Sequence, residues 1–392
     1  MKKYIMIWAN TVSIKYINYH FTHLGEILDY LDGIFPNEVD VLDADAENLD
    51  NSHILEQLTK EQYKAIAFYA STENIRETVS LAKMVKSVFP EIKLLAYGPL
   101  TLLIPEFFCN KNFDAIYSGG DNELAISNFF KYSNGEMVEK ELSGIYLIRD
   151  NKLIKTKEGQ FIDINDLGFP RVDRLPIDEY NKLNGDKKIN LTLSRGCPFS
   201  CPHCLVNLSE GNKDRRRNLE SLKEYLTTIY SNYTEIKIFS PEFTINKAYV
   251  YDFCELVREN FPKLKWDCAT RVDTVNDDDL LKVMGESGCT QITLGIETLS
   301  EKELASIDKK YDLSKVPEVV EKIKAANIAV KGCIIIGIPG QTKESLKKTL
   351  DTLVELGVIV RPMIYTRYQD LKSNMSIDEI ENYNRKVFYI IQ

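Results

Sequence analysis

The chain reads as an α/β protein built on two parallel sheets, and three observations predict it. Short, almost continuously apolar runs alternate with helix-length segments from Tyr4 to Tyr117, and the same alternation resumes from Ile189 to Tyr365. Strands that are apolar on both faces belong to parallel sheets covered by helices on either side. Between the two series, from Gly135 to about Asp186, the alternation stops. The expected division is a first domain over residues 1–134, a hairpin and linker over 135–187, and a second domain over 188–392. A length of 392 residues has room for this.

In the first series Tyr4–Ala9 is strand-like and His23–Leu31 helical; Val39–Leu42 and Ala65–Tyr69 are the next strands. Glu73–Val88 reads as a helix with Ser71 or Thr72 placed to cap it, and Ile92–Ala96 and Ala115–Tyr117 complete five strands. That pattern predicts a doubly wound, Rossmann-like domain ending near Tyr132. Ligands of such sheets bind beyond the carboxyl ends of the strands. Those ends carry Ala9-Asn10, Asp45, Ser71-Thr72, Gly98-Pro99 and Gly119-Gly120. Small and polar residues there predict a broad shelf for a large ligand. No Gly-x-Gly-x-x-Gly follows the first strand, so a dinucleotide fingerprint is absent.

Asp150-Asn151 between two apolar pieces predicts a β-hairpin over Gly144–Thr156, and Leu167–Pro176 an extended crossing segment. Strands then follow at Ile189–Leu193, Ile236–Phe239, Leu264–Cys268, Gln291–Gly295, Val330–Ile336 and Val358–Tyr365. Helices fall between them at Leu219–Tyr230, Lys247–Asn260, Asn276–Ser287, Leu313–Ala326 and Lys343–Leu356, with a last helical stretch over Ser376–Tyr389. Six strands and their helices predict a partial parallel (β/α)6 barrel with function at the carboxyl ends of its strands.

The formal charge of −9 argues against a broad nucleic-acid face, which needs a basic surface. The Lys213–Arg217 run is a local exception, expected to be a solvated loop. No apolar stretch approaches membrane-spanning length, and the start Met1–Ala9 is too short for a signal-peptide core. Eight cysteines in this length do not make a secreted disulfide scaffold, so a cytoplasmic protein is expected.

Three of those cysteines carry the chemistry. Cys197, Cys201 and Cys204 stand in Leu193-Ser-Arg-Gly-Cys-Pro-Phe-Ser-Cys-Pro-His-Cys204, directly after a strand, and the next cysteine is Cys254. Thiolates are the preferred ligands of iron–sulfur clusters, and three of them leave one iron open for chemistry. Buried small hydrophobes or a zinc site are the competing readings, although His203 between Cys201 and Cys204 is badly placed to share a zinc with them. The surroundings favour the cluster. Glu242 follows the second strand of the barrel, Arg271 and Asp273 the third, Glu297 the fourth, and Gly337-Ile-Pro-Gly340 the fifth. Together they describe a ring of polar groups and a glycine turn around one mouth.

This cysteine motif resembles the signature of the radical S-adenosylmethionine (radical SAM) family. The resemblance implies a 4Fe-4S cluster held by Cys197, Cys201 and Cys204, whose open iron chelates S-adenosylmethionine and splits it to a 5′-deoxyadenosyl radical. It implies an external one-electron reductant of flavodoxin or ferredoxin type. Ser240-Pro-Glu242 stands where the family has Gly-Gly-Glu against the amino group of the cofactor, Glu297 in its Gly-Ile-Glu segment, and Gly337 and Gly340 in its Gly-x-Pro-Gly segment. Arg271 suits the cofactor's carboxylate. Ser240 and Pro241 replace two glycines, and Gln341 replaces a common glutamate.

A Rossmann-like domain, a hairpin linker and this barrel, in that order, resemble the cobalamin-binding-domain class of radical SAM enzymes, many of which methylate unactivated carbon. That resemblance implies cobalamin on the first domain, over Ser71, Thr72, Gly98, Gly119 and Gly120. The Asp-x-His-x-x-Gly motif that would put histidine on cobalt is absent; His20 and His23 have the wrong spacing and are expected to pack or cap at a helix start.

Cobalamin-dependent C-methylation is the leading expectation. A cobalamin-independent, peptide-modifying enzyme such as an epimerase is the alternative. It would need a hydrogen donor, for which Cys268 and Cys333 on barrel strands are candidates, each also readable as a buried small hydrophobe. A methylthiotransferase would carry three more cluster cysteines before Cys197, where only Cys109 stands. A non-catalytic zinc or cluster-binding module is the reading from another class. The substrate is expected to be a small molecule or a peptide, with neither nucleic acid nor membrane as a partner.

Overall fold

The apolar runs become strands because branched and aromatic side chains fit a pleated surface better than a helix turn. The structure, a computed structural model, describes residues 3–11, 17–184 and 188–383. They divide into two units. The first takes the chain up to residue 184 with Leu205–Gly211 and Tyr368–Tyr383; the second takes residues 188–204 and Asn212–Arg367.

In the first unit β1 (Tyr4–Trp8), β2 (Val39–Asp43), β3 (Ala65–Tyr69), β4 (Lys93–Tyr97) and β5 (Ala115–Tyr117) are parallel. The hairpin β6 (Ile145–Arg149) and β7 (Lys152–Lys155) extends the same sheet antiparallel, giving the order β2-β1-β3-β4-β5-β6-β7. Its two turn residues, Asp150 (φ 50°) and Asn151 (φ 57°), are both left-handed, as a two-residue hairpin turn requires. The helices are α1 (Ile17–Ile34), α2 (Asn51–Leu58), α3 (Ile75–Val88), α4 (Pro99–Leu103), α5 (Asn122–Ser133), α6 (Ile177–Asn184) and the short α7 (Val206–Ser209).

One face of the sheet buries Ile5, Ile7, Ile66, Phe68 and Leu94 with Ile54, Leu81 and Val85 from α2 and α3. Each such side chain stabilises the fold by about 1.5–3 kcal/mol. Leu371 and Ile380 join this core, so the segment Tyr368–Tyr383 is part of the first unit, and Arg76 donates to Glu381 at 2.8 Å beside it. The stretch Ser376–Tyr389 is helical over Ile377–Glu381; its residues 384–389 lie outside the described residues. α3 starts later than expected, because Asn74 rather than Ser71 or Thr72 occupies the cap position and accepts from the Ser71 N–H at 2.9 Å. His23 lies within α1, not at its start.

The second unit is a six-stranded, wholly parallel sheet of order β15-β14-β13-β12-β11-β8. Its strands are β8 (Lys188–Thr192), β11 (Glu235–Phe239), β12 (Lys265–Thr270), β13 (Cys289–Glu297), β14 (Ala329–Ile336) and β15 (Ile359–Ile364). A two-residue ribbon, β9 (Ser194–Arg195) with β10 (Arg215–Arg216), brackets the cysteine loop. The helices between strands are α8 (Leu219–Ile229), α9 (Lys247–Asn260), α10 (Asp278–Glu286), α11 (Glu301–Ser306), α12 (Lys315–Ala325) and α13 (Lys343–Glu355).

The pleat sorts each strand into two sets. Ile236, Ile238, Trp266, Ile292, Leu294 and Ile334 are buried on the helix side, where Trp266 packs edge-on against Phe243 and Phe253 at 5.7 and 5.2 Å. The other set, including Lys237, Thr293, Lys331 and Arg361, lines the inner face. The α/β reading with two mostly parallel sheets therefore holds. The Lys213–Arg217 run is not a solvated loop. Arg215 and Arg216 pair with β9, and Arg217, 2% exposed, donates to the Thr192 carbonyl at 2.8 Å. No helix among the described residues is long and apolar enough to cross a membrane.

Candidate active site

The cysteine loop leaves β9 through Gly196, whose φ of 82° only glycine adopts freely. Cys197 and Cys201 are half-buried and Cys204 is exposed; none is in a disulfide. A tight turn links the last two, the Cys204 N–H donating to the Cys201 carbonyl at 3.0 Å. Burial raises the Cys197 thiol pKa first, and the charges of Cys204, Glu242 and Cys201 raise it further, against an opposing Phe199 N–H. A cation among the three would reverse that and hold them as thiolates. Among the described residues no three His, Cys, Asp or Glu side chains close on a single ion position. Three sulfurs spread over a loop fit a multi-iron cluster better than one zinc, because a cluster takes each thiolate on a different iron.

Glu242, 2% exposed, follows β11 and is held from within the unit, Oε1 by three threonines and Oε2 by one backbone N–H. It accepts from Thr270 at 2.5 Å, Thr274 at 2.8 Å, Thr244 at 3.2 Å and the Arg271 N–H at 2.8 Å. Burial raises its pKa, and these hydrogen bonds pull the other way. Its backbone and that of Phe243 accept from Arg216 at 3.0 Å each, a contact the sequence reading missed. Ser240 bonds Ser194 of β9. The end of β11 is thereby tied both to the cysteine ribbon and to β12.

Arg271 forks onto Asp273 at 2.8 and 2.9 Å, donates to the Lys310 carbonyl at 3.0 Å, and lies 4.0 Å over the Phe199 ring of the cysteine loop. Glu297 ends β13 at a register shift, with φ at 66°, a left-handed conformation that is strained for glutamate. Lys309 holds it there, 6% exposed, donating to Glu297 Oε1 at 2.6 Å and to the Gly295 carbonyl at 2.7 Å. Tyr311 donates to the Ile296 carbonyl at 2.6 Å. Sequence reading missed Lys309; its place 12 positions beyond the carboxylate carries no spacing signal.

His203 joins this group. Burial lowers its pKa, the Glu297 charge raises it and the Lys309 charge lowers it, and its ring lies 6.5 Å from that of Tyr365. The turn after β14 has Gly337 at φ 90° and Gly340 at φ 82°, and a Cβ on Gly340 would meet nothing within 4 Å. Gln341 closes the turn, accepting from the Gly337 N–H at 2.7 Å and donating to the Ile335 carbonyl at 3.0 Å. Cysteine loop, Glu242, Arg271, Glu297 and the glycine turn all stand at the carboxyl ends of one parallel sheet.

The two cysteine candidates separate. Cys268 shares the pleat face of Trp266, is 1% exposed, and interacts with Cys289; it points into the helix layer, away from the inner face where a hydrogen donor would have to stand. Cys333 is half-buried on the inner face, within reach of the charges of Arg361, Glu297, Lys309 and Lys331.

In the first unit the expected shelf is mostly filled. Ala9 and Asp45 are fully buried, and Thr11 donates to Asp45 at 2.8 Å. Ser71 is buried in the Asn74 turn. Gly98 (φ 108°) lets the chain pass the Ala70 carbonyl, which a Cβ would approach to 2.9 Å. Gly120 is covered by residues 159–160, whose Gln160 N would lie 2.5 Å from a Cβ. Thr72 and Gly119 remain half-exposed, and a Cβ on Gly119 would meet nothing within 4 Å. Beneath the edge lies an aromatic floor: Trp8 stacks on Tyr69 at 3.7 Å, with His23 5.1 Å from Tyr69 and 5.6 Å from Tyr97. These strand ends are aromatic and packed, not small and open.

Residues 191–353 match the radical SAM superfamily. An uncharacterized methyltransferase of Pyrococcus horikoshii is 26% identical over 327 residues, spanning 82% of this chain and 71% of that one. Among solved structures, the radical S-adenosylmethionine methyltransferase TsrM of Kitasatospora setae, with tryptophan substrate and a SAM analog bound, superposes with a TM-score of 0.79 at 14% identity, over 94% of this chain and 75% of TsrM. TsrM has also been solved with cobalamin and a [4Fe-4S] cluster. The cobalamin-dependent S-adenosylmethionine radical enzyme OxsB, with aqua-cobalamin bound, gives 0.77 at 17% identity over 99% of this chain. This chain spans only 56% of OxsB. Likeness at such identities establishes the shared fold.

Proposed function

We propose that this chain, a radical SAM enzyme, cleaves S-adenosylmethionine at a cluster held by Cys197, Cys201 and Cys204 and uses cobalamin to methylate its substrate. The observation that carries the reading is the convergence of a three-cysteine loop, two buried carboxylates and a glycine turn on the carboxyl edge of one parallel sheet.

The cluster, when bound, supplies the electron that splits the sulfonium and leaves a 5′-deoxyadenosyl radical. The donor set fits it: three free thiols on one loop, within reach of one another's charge. The chain's own residues then organise the mouth. Arg271 braces the loop through Phe199, and its Asp273 partner fixes the fork. Glu242 offers a carboxylate to the amino group of the cofactor while holding three threonines. Glu297 is presented by its strained backbone and neutralised by Lys309. The open side of Gly340 admits the flat adenine close to the backbone.

For cobalamin, which would supply the methyl group, support comes from the likeness in fold to TsrM and OxsB over 94% and 99% of this chain. In the first unit the half-exposed Thr72 and the open position at Gly119 fit a large ligand, whereas Ser71, Gly98 and Gly120 are used by the chain itself. That last observation favours a second reading, a cobalamin-free radical enzyme with Cys333 as hydrogen donor. Anaerobic reconstitution with iron, sulfide and hydroxocobalamin, followed by gel filtration and reduced turnover, tests both. About one cobalamin retained per chain, with both 5′-deoxyadenosine and S-adenosylhomocysteine formed, supports methylation. Cobalamin-free protein that makes 5′-deoxyadenosine alone puts the second reading in front. No 5′-deoxyadenosine under any condition sinks both.

A further inference from the structure

The inner face of the second sheet carries more positive charge than its own carboxylates neutralise. Lys237 on β11, Lys331 on β14 and Arg361 on β15 all lie on it. The register pairs Lys331 with Thr293 and Ile359, and Cys333 with Gly295 and Arg361, so these side chains leave the sheet on one side. Asp267 and Glu235 are the carboxylates of that face, and Lys188 already holds them, at 3.2 and 3.8 Å. Lys237, Lys331 and Arg361 form neither an ion pair nor a hydrogen bond among the described residues, and Lys237 has only the Phe239 ring at 5.8 Å. Burial lowers the Lys237 pKa, Asp267 opposes that, and the charges of Arg361, Lys331 and Lys188 lower it further. Lys237 and Lys331 are half-buried and Arg361 is exposed, and cations crowded in this way call for an anion.

Apolar groups flank the cations. Ile359 is 53% exposed and Met363 46% exposed, on either side of Arg361 along β15, and Ile335 stands opposite Met363. Arg361 acts on Cys333, which also feels Glu297 and Lys309, so the basic stripe runs up to the candidate active site. We propose that this inner face, through Lys237, Lys331 and Arg361, binds the substrate by an anionic group, carboxylate or phosphate, carried on an apolar body. The inference rests on the radical SAM reading only in taking the bound molecule to be the substrate.

The test uses the full reconstituted chain without reductant, so that no turnover occurs. Hexanoate, hexyl phosphate and hexanol are titrated calorimetrically into the native protein, Lys331→Gln, Arg361→Gln, Arg361→Lys and a control, Lys347→Gln, on exposed α13. At least one anion should bind at least about tenfold more tightly than hexanol, with that affinity falling about tenfold in each Gln variant and surviving in Arg361→Lys and the control; tenfold corresponds to about 1.4 kcal/mol. The tighter anion identifies the carboxylate or the phosphate source. Anions that bind no better than hexanol, or equally well to every variant, overturn the proposal. So does an equal loss of S-adenosylmethionine affinity in the Gln variants, which would give the cations to the cofactor's carboxylate. Should Arg361→Gln fail to fold, Lys331→Gln and Arg361→Lys carry the comparison. Formation of 5′-deoxyadenosine by reduced native protein is measured separately: anion binding without it removes the radical function and leaves the anion site standing.

Discussion

The two units carry parallel sheets made by the same rule, yet their carboxyl edges differ. In the second, strand ends place Glu242, Arg271, Glu297 and an open glycine turn around a cysteine loop, and the inner face keeps cations unpaired among the described residues. In the first, the strands finish in Trp8, Tyr69, Tyr97 and Tyr117, all at most 5% exposed, and the chain folds over Gly120. A shared topology says where a site is allowed; the side chains at the strand ends decide whether there is one. Among the described residues, the first unit keeps only Asn10, Thr72, Pro99 and Gly119 half-exposed at the strand ends expected to form its shelf.

The largest effect expected is at the cysteines. Cys197→Ala, Cys201→Ala and Cys204→Ala should each lose the iron, about four per chain in the native protein, and abolish 5′-deoxyadenosine formation. Iron and sulfide analysis with product chromatography checks this, and a variant with full cluster and full cleavage would break the contrast at its root.

Next comes Lys309→Met, which strands the buried Glu297 carboxylate. Such a loss costs about 3–5 kcal/mol, read as a shifted denaturant midpoint. Glu297→Gln alongside Lys309→Met should recover part of it, and S-adenosylmethionine should bind weakly to both proteins. Unchanged stability in the single variant would mean that Lys309 does not hold the strained turn.

Gly120→Ala sharpens the comparison from the other side. Its Cβ would meet the Gln160 backbone at 2.5 Å with φ at 85°, so a cost of about 1–3 kcal/mol is expected with cluster content unchanged. Lost cobalamin retention without lost stability would instead make this edge a ligand surface.

The smallest effect belongs to Arg76→Ala, which frees Glu381 and Asp378 of the segment packed on α3. The Asp378 pair is exposed and worth little, while Glu381 is 10% exposed, so a loss of about 1 kcal/mol is expected. A loss several times larger would show that the returning segment, and not the sheet core, holds the first unit together.

Much of this was legible in the chain. Apolar runs marked every strand of both sheets to within two residues, since the signal is local and periodic. The cysteine spacing marked the loop proposed to hold the cluster for the same reason. Short polar helices such as Asn51–Leu58 were missed because an eight-residue helix carries too little periodicity. Cys268 was misjudged because alternation tells which residues share a face, not which face looks inward.

By itself, then, the sequence determined the two-sheet fold, the cysteine loop and the residues at each strand end, all properties of neighbours along the chain. Only the tertiary structure decided how those residues are used. Glu242 is satisfied by threonines 28 and 32 positions away, Glu297 by a lysine 12 positions on, and Gly120 is covered by Gln160. The unpaired charge of Lys237, Lys331 and Arg361 exists only once three distant strands align. Burial and hydrogen bonding are set by what packs against a side chain, and those partners come from elsewhere in the chain.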